Sequence, residues 1–209
     1  TVYTGKAGSP ANVQTSVRLA QIAALNQTFA YDLDGNLTFD GLWDYAWDAE
    51  NRLIRQTTAA GAVAAGVRNI ALEYRYDYLG RRVQKLVIDA AANRLIYGRR
   101  FLYDGWNLIA EHALNASLST LTLVRSYTWG LDIARTLAEA GGVGSLLQIA
   151  DHPSGKTYFP AYDGNGNITA LLNSTETTRI VNGVSTTYPA GSIAAAYEYS
   201  PFGEQLRAD

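Results

Sequence analysis

The chain has 209 residues, a net charge of −2, no Cys and no Met, 47% hydrophobic residues, and 14 Tyr with 4 Trp. That apolar content supports a core and argues against a disordered chain, and the absence of Cys excludes disulfides, zinc–thiolate sites and thiol nucleophiles. The near-neutral charge gives no basic footprint for nucleic acid, and apolar runs broken by charges within about ten residues fall short of the roughly 20 that span a bilayer.

Residues 1–28 form a lead-in. Thr1-Val2-Tyr3-Thr4 has no initiator Met and no charged or apolar leader pattern, so the chain is expected to be a piece of a longer polypeptide that carries no targeting signal here. Between residues 13 and 25, Val13, Val17, Ala20, Gln21 and Ala24 stand near helical spacing, but Val17, Leu19 and Gln21 also alternate. Alternation is favoured over helix there.

From residue 29 onward a repeat takes over: an aromatic residue, Asp, then Gly or Asn and a polar residue. It occurs as Tyr31-Asp32-Leu33-Asp34-Gly35-Asn36, Trp47-Asp48-Ala49-Glu50-Asn51-Arg52, Tyr76-Asp77-Tyr78-Leu79-Gly80-Arg81 and Tyr162-Asp163-Gly164-Asn165-Gly166-Asn167. Tyr103-Asp104-Gly105-Trp106-Asn107 places its Gly early, and Tyr199-Ser200-Pro201-Phe202-Gly203-Glu204 is a weaker copy. The aromatic ends a strand with a large apolar group, and Asp starts a turn by accepting a backbone N–H two residues on. Gly or Asn then supplies the positive φ of a short hairpin loop. The unit is strand, turn, strand, and its repetition makes chance a poor explanation.

The segments between the turns read as strands. Leu72, Tyr74 and Tyr76 alternate with Glu73, Arg75 and Asp77; residues 81–88, 93–103 and 107–111 continue the pattern. Residues 121–129 are rich in β-branched and aromatic types and stop at Gly130. Residues 132–140 are predicted as a short helix with Asp132 as N-cap and Gly141-Gly142 as stop. Residues 173–190, rich in Thr, Ser, Asn and Gly, are predicted as an exposed insertion. No Pro-, Ser- or Gly-rich linker divides the chain, so residues 1–209 are taken as one all-β domain. Repeat starts at 31, 47, 76, 103, 162 and 199 are uneven, which favours hairpins with variable loops over a rigid solenoid.

Candidate chemistry is sparse. Asp163-Gly164-Asn165-Gly166-Asn167 and Asp32, Asp34, Asn36 imitate the start of an EF-hand loop. Ile168 and Ser174, and Leu37 and Trp43, stand where its Gly and bidentate Glu belong. The turn reading is preferred. Gly141-Gly142-Val143-Gly144 lacks the Lys-Ser/Thr of a phosphate loop and precedes strand-like residues, so a tight backbone crossing is expected. His112 and His152, without Cys or repeated His spacing, predict no metal site and no catalytic arrangement. Arg81-Arg82 and Arg99-Arg100 point to opposite faces of a strand, so neither pair makes one patch. Trp43, Trp47 and Trp106 lie near turns, where they could stack on sugars, although core packing is the commoner role. No cofactor is implied.

The ordered set of Tyr76 to Arg82, Tyr103 to Glu111, Trp129-Gly130-Leu131-Asp132, Gly141 to Gly144, Tyr162 to Asn167 and Tyr197-Glu198-Tyr199-Ser200-Pro201-Phe202-Gly203-Glu204 resembles the RHS/YD-repeat proteins, at the end of their repeat region and the start of its associated core. The resemblance implies consecutive antiparallel hairpins forming a curved sheet, an arc of the hollow β-cocoon known from bacterial RHS proteins, toxin-complex C proteins and teneurin shells. It further implies a non-catalytic wall that encapsulates or presents a C-terminal toxin or effector, in a secreted or surface-delivered protein. Its partners would be the remainder of the shell and that effector, with no nucleic acid and no membrane span. A carbohydrate- or cell-surface-binding module, with cell-surface glycans as partners, is one alternative, and part of an autoproteolytic core whose catalytic Asp residues lie beyond this chain is another. The resemblance departs at Ser200, where the family has Asp, and the chain ends at Asp209 before the family's self-cutting Asp motif, so an autoproteolytic role cannot be assigned to residues present here.

Overall fold

The computed structural model describes residues 28–137, 139, 141–200 and 205–208. The expectations for residues 13–25 and for Pro201, Phe202 and Gly203 lie outside them. In chain order the strands are β1 (Ala30–Tyr31), β2 (Leu37–Phe39), β3 (Trp43–Trp47) and β4 (Leu53–Thr58), followed by the helix α1 (Ala60–Ala64). Then come β5 (Ile70–Tyr76), β6 (Arg82–Asp89), β7 (Arg94–Asp104), β8 (Asn107–Leu114) and β9 (Leu121–Trp129). The series closes with β10 (Leu146–Asp151), β11 (Lys156–Tyr162), β12 (Ile168–Asn173), β13 (Thr177–Val181), β14 (Val184–Tyr188), β15 (Ile193–Tyr199) and β16 (Gln205–Ala208). The fold is all-β.

Each strand of the main sheet pairs antiparallel with the next one in sequence, giving the order β1 to β12, then β15 and β16. Among the described residues β1 and β16 do not pair with each other, so this 14-stranded sheet is open. In such a meander successive connections fall on alternate edges. The turns after β1, β3, β5, β7, β9 and β11 therefore share one edge, and every copy of the aromatic–Asp repeat that lies wholly among the described residues is on it.

Register separates the two faces. Cross-strand partners Tyr45–Gln56–Leu72–Val87–Tyr97 and Phe101–Glu111–Arg125–Asp151–Lys156 lie on an aromatic, charged face. Thr57–Ala71–Ile88 and Glu73–Leu86–Gly98 lie on the opposite, more aliphatic face. Ala71, Leu86, Ala110 and Leu114 of this second face are buried. Gly98 makes that packing feasible: a Cβ there would stand 2.9 Å from Leu114 Cβ and 3.3 Å from Leu86 Cδ2. The packed interior is nevertheless thin, and large apolar side chains stay exposed along the sheet, among them Leu102, Leu121, Leu147, Phe159 and Ile193.

Three local features differ from, or add to, what the sequence suggests. Residues 132–137 form turns rather than the predicted helix. Asp132 Oδ1 does accept N–H groups, from Ala134 at 3.0 Å and Thr136 at 3.1 Å, but its own N–H donates to Thr136 O, which closes the loop into a hairpin-type turn. Arg135 completes it at a φ of 60°. The short helix α1 instead joins β4 to β5, where Ala59 and Ala62 are buried. It stops in a Schellman pattern: Gly66 N–H donates to Val63 O, Val67 N–H donates to Ala62 O, and Gly66 has a φ of 93°. Finally, the insertion at 173–190 is a hairpin, β13 with β14, which forms its own two-stranded sheet on the edge opposite the repeat turns.

Candidate functional site

The repeat turns are one geometry used again and again. Asp77 N–H donates to Arg81 O and Gly80 N–H to Asp77 O, each at 3.0 Å. Asp77 Oδ1 accepts the N–H groups of Leu79 at 2.9 Å and Arg81 at 3.0 Å, while Oδ2 accepts Arg81 Nε at 2.8 Å. Asp48 repeats this with Glu50 and Arg52. Asp32 and Asp163 repeat it with Asn36 and Asn167, whose Nδ2 replaces the guanidinium. The residue before the last is left-handed each time: Gly35, Asn51, Gly80 and Gly166 have φ of 85°, 57°, 77° and 81°. The turn at Asp132 is a further copy that the sequence pattern missed, because Leu131 replaces the aromatic and Arg135 the Gly or Asn. Tyr103-Asp104-Gly105-Trp106-Asn107 is tighter, with Asp104 paired directly to Asn107 across two residues.

These bonds set the charge state of the turn. For Asp77, desolvation is the largest influence and pushes the carboxyl up. The summed hydrogen bonds from Arg81 and Leu79 outweigh it and hold the group below the ordinary carboxylate range. Asp48 follows the same balance with Arg52. At Asp163 and Asp32 the side-chain bond from Asn167 or Asn36 leads, and both carboxyls are again lowered. The carboxylates of the repeat are thus committed to backbone N–H groups.

The aromatics of four repeats fasten their hairpins to the preceding ones. Trp47 Nε1 donates to Leu37 O at 2.8 Å, Tyr76 Oη to Leu53 O at 2.8 Å, Tyr103 Oη to Arg82 O at 3.0 Å and Tyr162 Oη to Leu146 O at 2.6 Å. Trp129 Nε1 makes the equivalent bond to Leu108 O at 2.7 Å. Every accepting carbonyl belongs to the first or second residue of the strand that follows the previous turn. Tyr31, in β1 at the end of the described sheet, is 62% exposed.

The last turn residue works in the other direction. Arg52 stacks over the Tyr76 ring at 5.4 Å and donates to Asp77 O; Arg81 stacks over Tyr103 at 5.1 Å and donates to Gly105 O. Asn36 Nδ2 reaches Asn51 Oδ1 at 2.8 Å. The chain of contacts continues through the loop of residues 130–145, where a Cβ on Gly142 would lie 2.8 Å from Asn107 Oδ1 and one on Gly166 would lie 2.5 Å from Val143 Cγ1. The expected tight crossing at Gly141 to Gly144 is therefore real. Beside it, Trp129, Val143, Tyr162, Asn165 and Ile168 line an open groove of about 410 Å³. The Trp129 and Tyr162 donors are already engaged within the sheet.

The remaining candidates disperse. Trp43 and Trp47 are half-buried and Trp106 is 70% exposed at its turn, so the three do not present alike. His152 Nε2 lies 2.9 Å from Ser126 Oγ, while His112 stands on the second face opposite Leu123. Arg99 and Arg100 do point to opposite faces: Arg99 pairs across strands with Lys85 and Ala113, and Arg100 with Gln84 and His112. Among the described residues no group of three or more His, Cys, Asp and Glu could hold a metal ion.

The fold and its edge define a class, an open strip of antiparallel hairpins stapled turn to turn by a Tyr-Asp repeat. Such a strip is what the resemblance to the RHS/YD-repeat proteins implies. No protein-family model matches the sequence. It is 28% identical over 211 aligned residues to the tRNA3(Ser)-specific nuclease WapA of Bacillus spizizenii, and 29% identical over the same length to the tRNA nuclease WapA of Bacillus subtilis strain 168. Both alignments cover 100% of this chain and 7% of the relative, so the chain spans a small fraction of the proteins it matches. Among solved structures it is similar to a chain of the Photorhabdus luminescens Tc holotoxin pore with a TccC3 mutation, and to one in the TcdB2-TccC3 crystal structure. Identities are 15% and 14%, each with a TM-score of 0.45, covering 87% of this chain and 11% of the other.

Proposed function

We propose that this chain is a non-catalytic wall segment of an RHS shell that encloses or presents a C-terminal effector in a secreted or surface-delivered toxin. One observation carries the reading: among the described residues the sheet is open at both ends and leaves large apolar side chains exposed along its length, which fits packing completed by further polypeptide. The full-length match to nucleases of which it spans 7% supports a segment of a larger toxin. The nuclease activity in those names would then reside outside the matched part. The Asp residues of the repeat turns serve structure, since Asp32, Asp48, Asp77 and Asp163 accept turn N–H groups. No helix among the described residues is long and apolar enough to cross a membrane.

Two measurements test this. In the polypeptide that contains this chain, the C-terminal segment should resist protease under native conditions and become cleavable once the hairpins unfold. Cleavage at the rate of the isolated segment would refute enclosure. The 209-residue chain incubated with total tRNA should leave it intact; cleavage that Asp77→Asn or Asp163→Asn abolishes would refute the non-catalytic assignment.

A further inference from the structure

Consecutive arginines do not form a patch on a strand, but arginines aligned across strands do. Arg75 pairs with Gln84, Gln84 with Arg100, Arg100 with His112 and His112 with Leu123, so these five side chains form one row on the aliphatic face, running over β5 to β9. Arg75 and Arg100 are exposed, and neither has an acidic partner among the described residues. Arg100 Nε donates to Gln84 Oε1 at 3.3 Å, and Gln84, which stands between the two arginines in the row, is buried. Neighbouring strands lie about 4.8 Å apart, which puts the two arginines roughly 10 Å from each other at the backbone. Glu73, two residues before Arg75 on the same face, pairs with Arg55 at 4.0 Å.

The surroundings are apolar. Leu102, Leu121 and Leu123 share the face and are all more than a third exposed, next to buried Leu86 and Leu114. Guanidinium forks bind carboxylates in a bidentate manner, and leucines flanking them accept aliphatic side chains. A nucleic-acid backbone, which carries a charge at every nucleotide, is matched by longer arrays of cations than two arginines between leucines.

We propose that the row of Arg75, Gln84, Arg100 and His112 docks an extended peptide segment that alternates acidic and apolar side chains. The site deepens the shell reading by naming the chemistry of what this face holds, yet its test needs no shell. Successive same-side carboxylates on an extended peptide stand about 7 Å apart, within reach of both arginine side chains.

The probe is a fluorescein-labelled ten-residue peptide of alternating Glu and Leu, titrated into the folded 209-residue chain at low salt and followed by anisotropy. Saturable binding is expected. The Arg75→Gln/Arg100→Gln chain should bind about tenfold more weakly, while Arg94→Gln/Lys156→Gln, which removes equal charge from the other face, should change affinity less than about twofold. If the first variant fails to fold, the probe carries the test alone, because a Gln-Leu peptide should lose binding to the unaltered chain. The proposal is overturned by an absence of binding, by an equal loss in the control variant, by equal affinity for a Lys-Leu peptide, or by tighter binding of a ten-nucleotide RNA than of the acidic peptide. Protease protection of an effector could still hold after any of these results, and binding could stand where protection fails.

Discussion

At the residue scale, a single carboxylate organises each of the repeat turns at Asp32, Asp48, Asp77 and Asp163. Asp77 gathers two N–H groups on one oxygen and the Arg81 guanidinium on the other, an arrangement that an amide side chain cannot reproduce because it has only one acceptor oxygen. Because Asp32, Asp48, Asp77 and Asp163 are all held below the ordinary carboxylate range, each contributes stability that is fully present above the unfolded value near about 3.9 and is lost as pH falls through its lowered folded value. The melting temperature should therefore hold steady from neutral pH down to about pH 5 and fall steeply below about pH 4; a flat profile down to pH 3 would contradict the turn geometry. The left-handed positions differ in cost. Gly80→Val strains only its own backbone, at a φ of 77° with open space around the site, and should lose about 1–3 kcal/mol in urea unfolding. Gly166→Val adds a collision with Val143 and should lose more. Equal losses would mean that the loop of residues 130–145 yields freely.

At the element scale, consecutive hairpins are tied by a donor from the later aromatic to a carbonyl of the earlier strand, and by an arginine or asparagine reaching forward. A strand edge alone leaves register free to slip by two residues without changing which side chains face which side. A Tyr hydroxyl that reaches one particular carbonyl removes that freedom. Tyr76→Phe should cost about 0.5–1.5 kcal/mol, since Leu53 O loses its partner while the ring still packs. Tyr103→Phe should behave alike, and Tyr31→Phe, at an exposed end position, should be neutral. Indistinguishable urea midpoints for all three would remove the staple as a source of stability. The insertion β13–β14 stands outside this system on the opposite edge, so its excision to a short Gly-containing turn between β12 and β15 should leave the midpoint within the error of a surface change.

At the scale of the whole molecule, the described hairpins add up to a sheet with two ends, two incompletely covered faces and, among the described residues, few buried apolar side chains. Such a chain should enhance the fluorescence of an apolar dye while folded, and a peptide seated on the aliphatic face should reduce that signal in step with its own binding. An unresponsive dye would mean that the exposed leucines are covered in solution.

The aromatic–Asp–Gly/Asn pattern was enough to place most repeat turns, the hairpin fold and the left-handed residues, because each of those depends on interactions within five or six residues. The same locality misled at Asp132, where an N-cap and a repeat turn begin with identical side-chain bonds and only the return of Thr136 O to Asp132 N–H separates them. It also passed over α1, an alanine-rich connector whose helicity is fixed by burial of Ala59 and Ala62 rather than by capping side chains. Sequence by itself determined the unit and its repetition. Tertiary structure alone decided how one unit grips the next, which carbonyl each tyrosine reaches, and that Arg75 and Arg100, 25 positions apart, stand in one row. Those relations depend on cross-strand register, which joins residues that no local pattern connects.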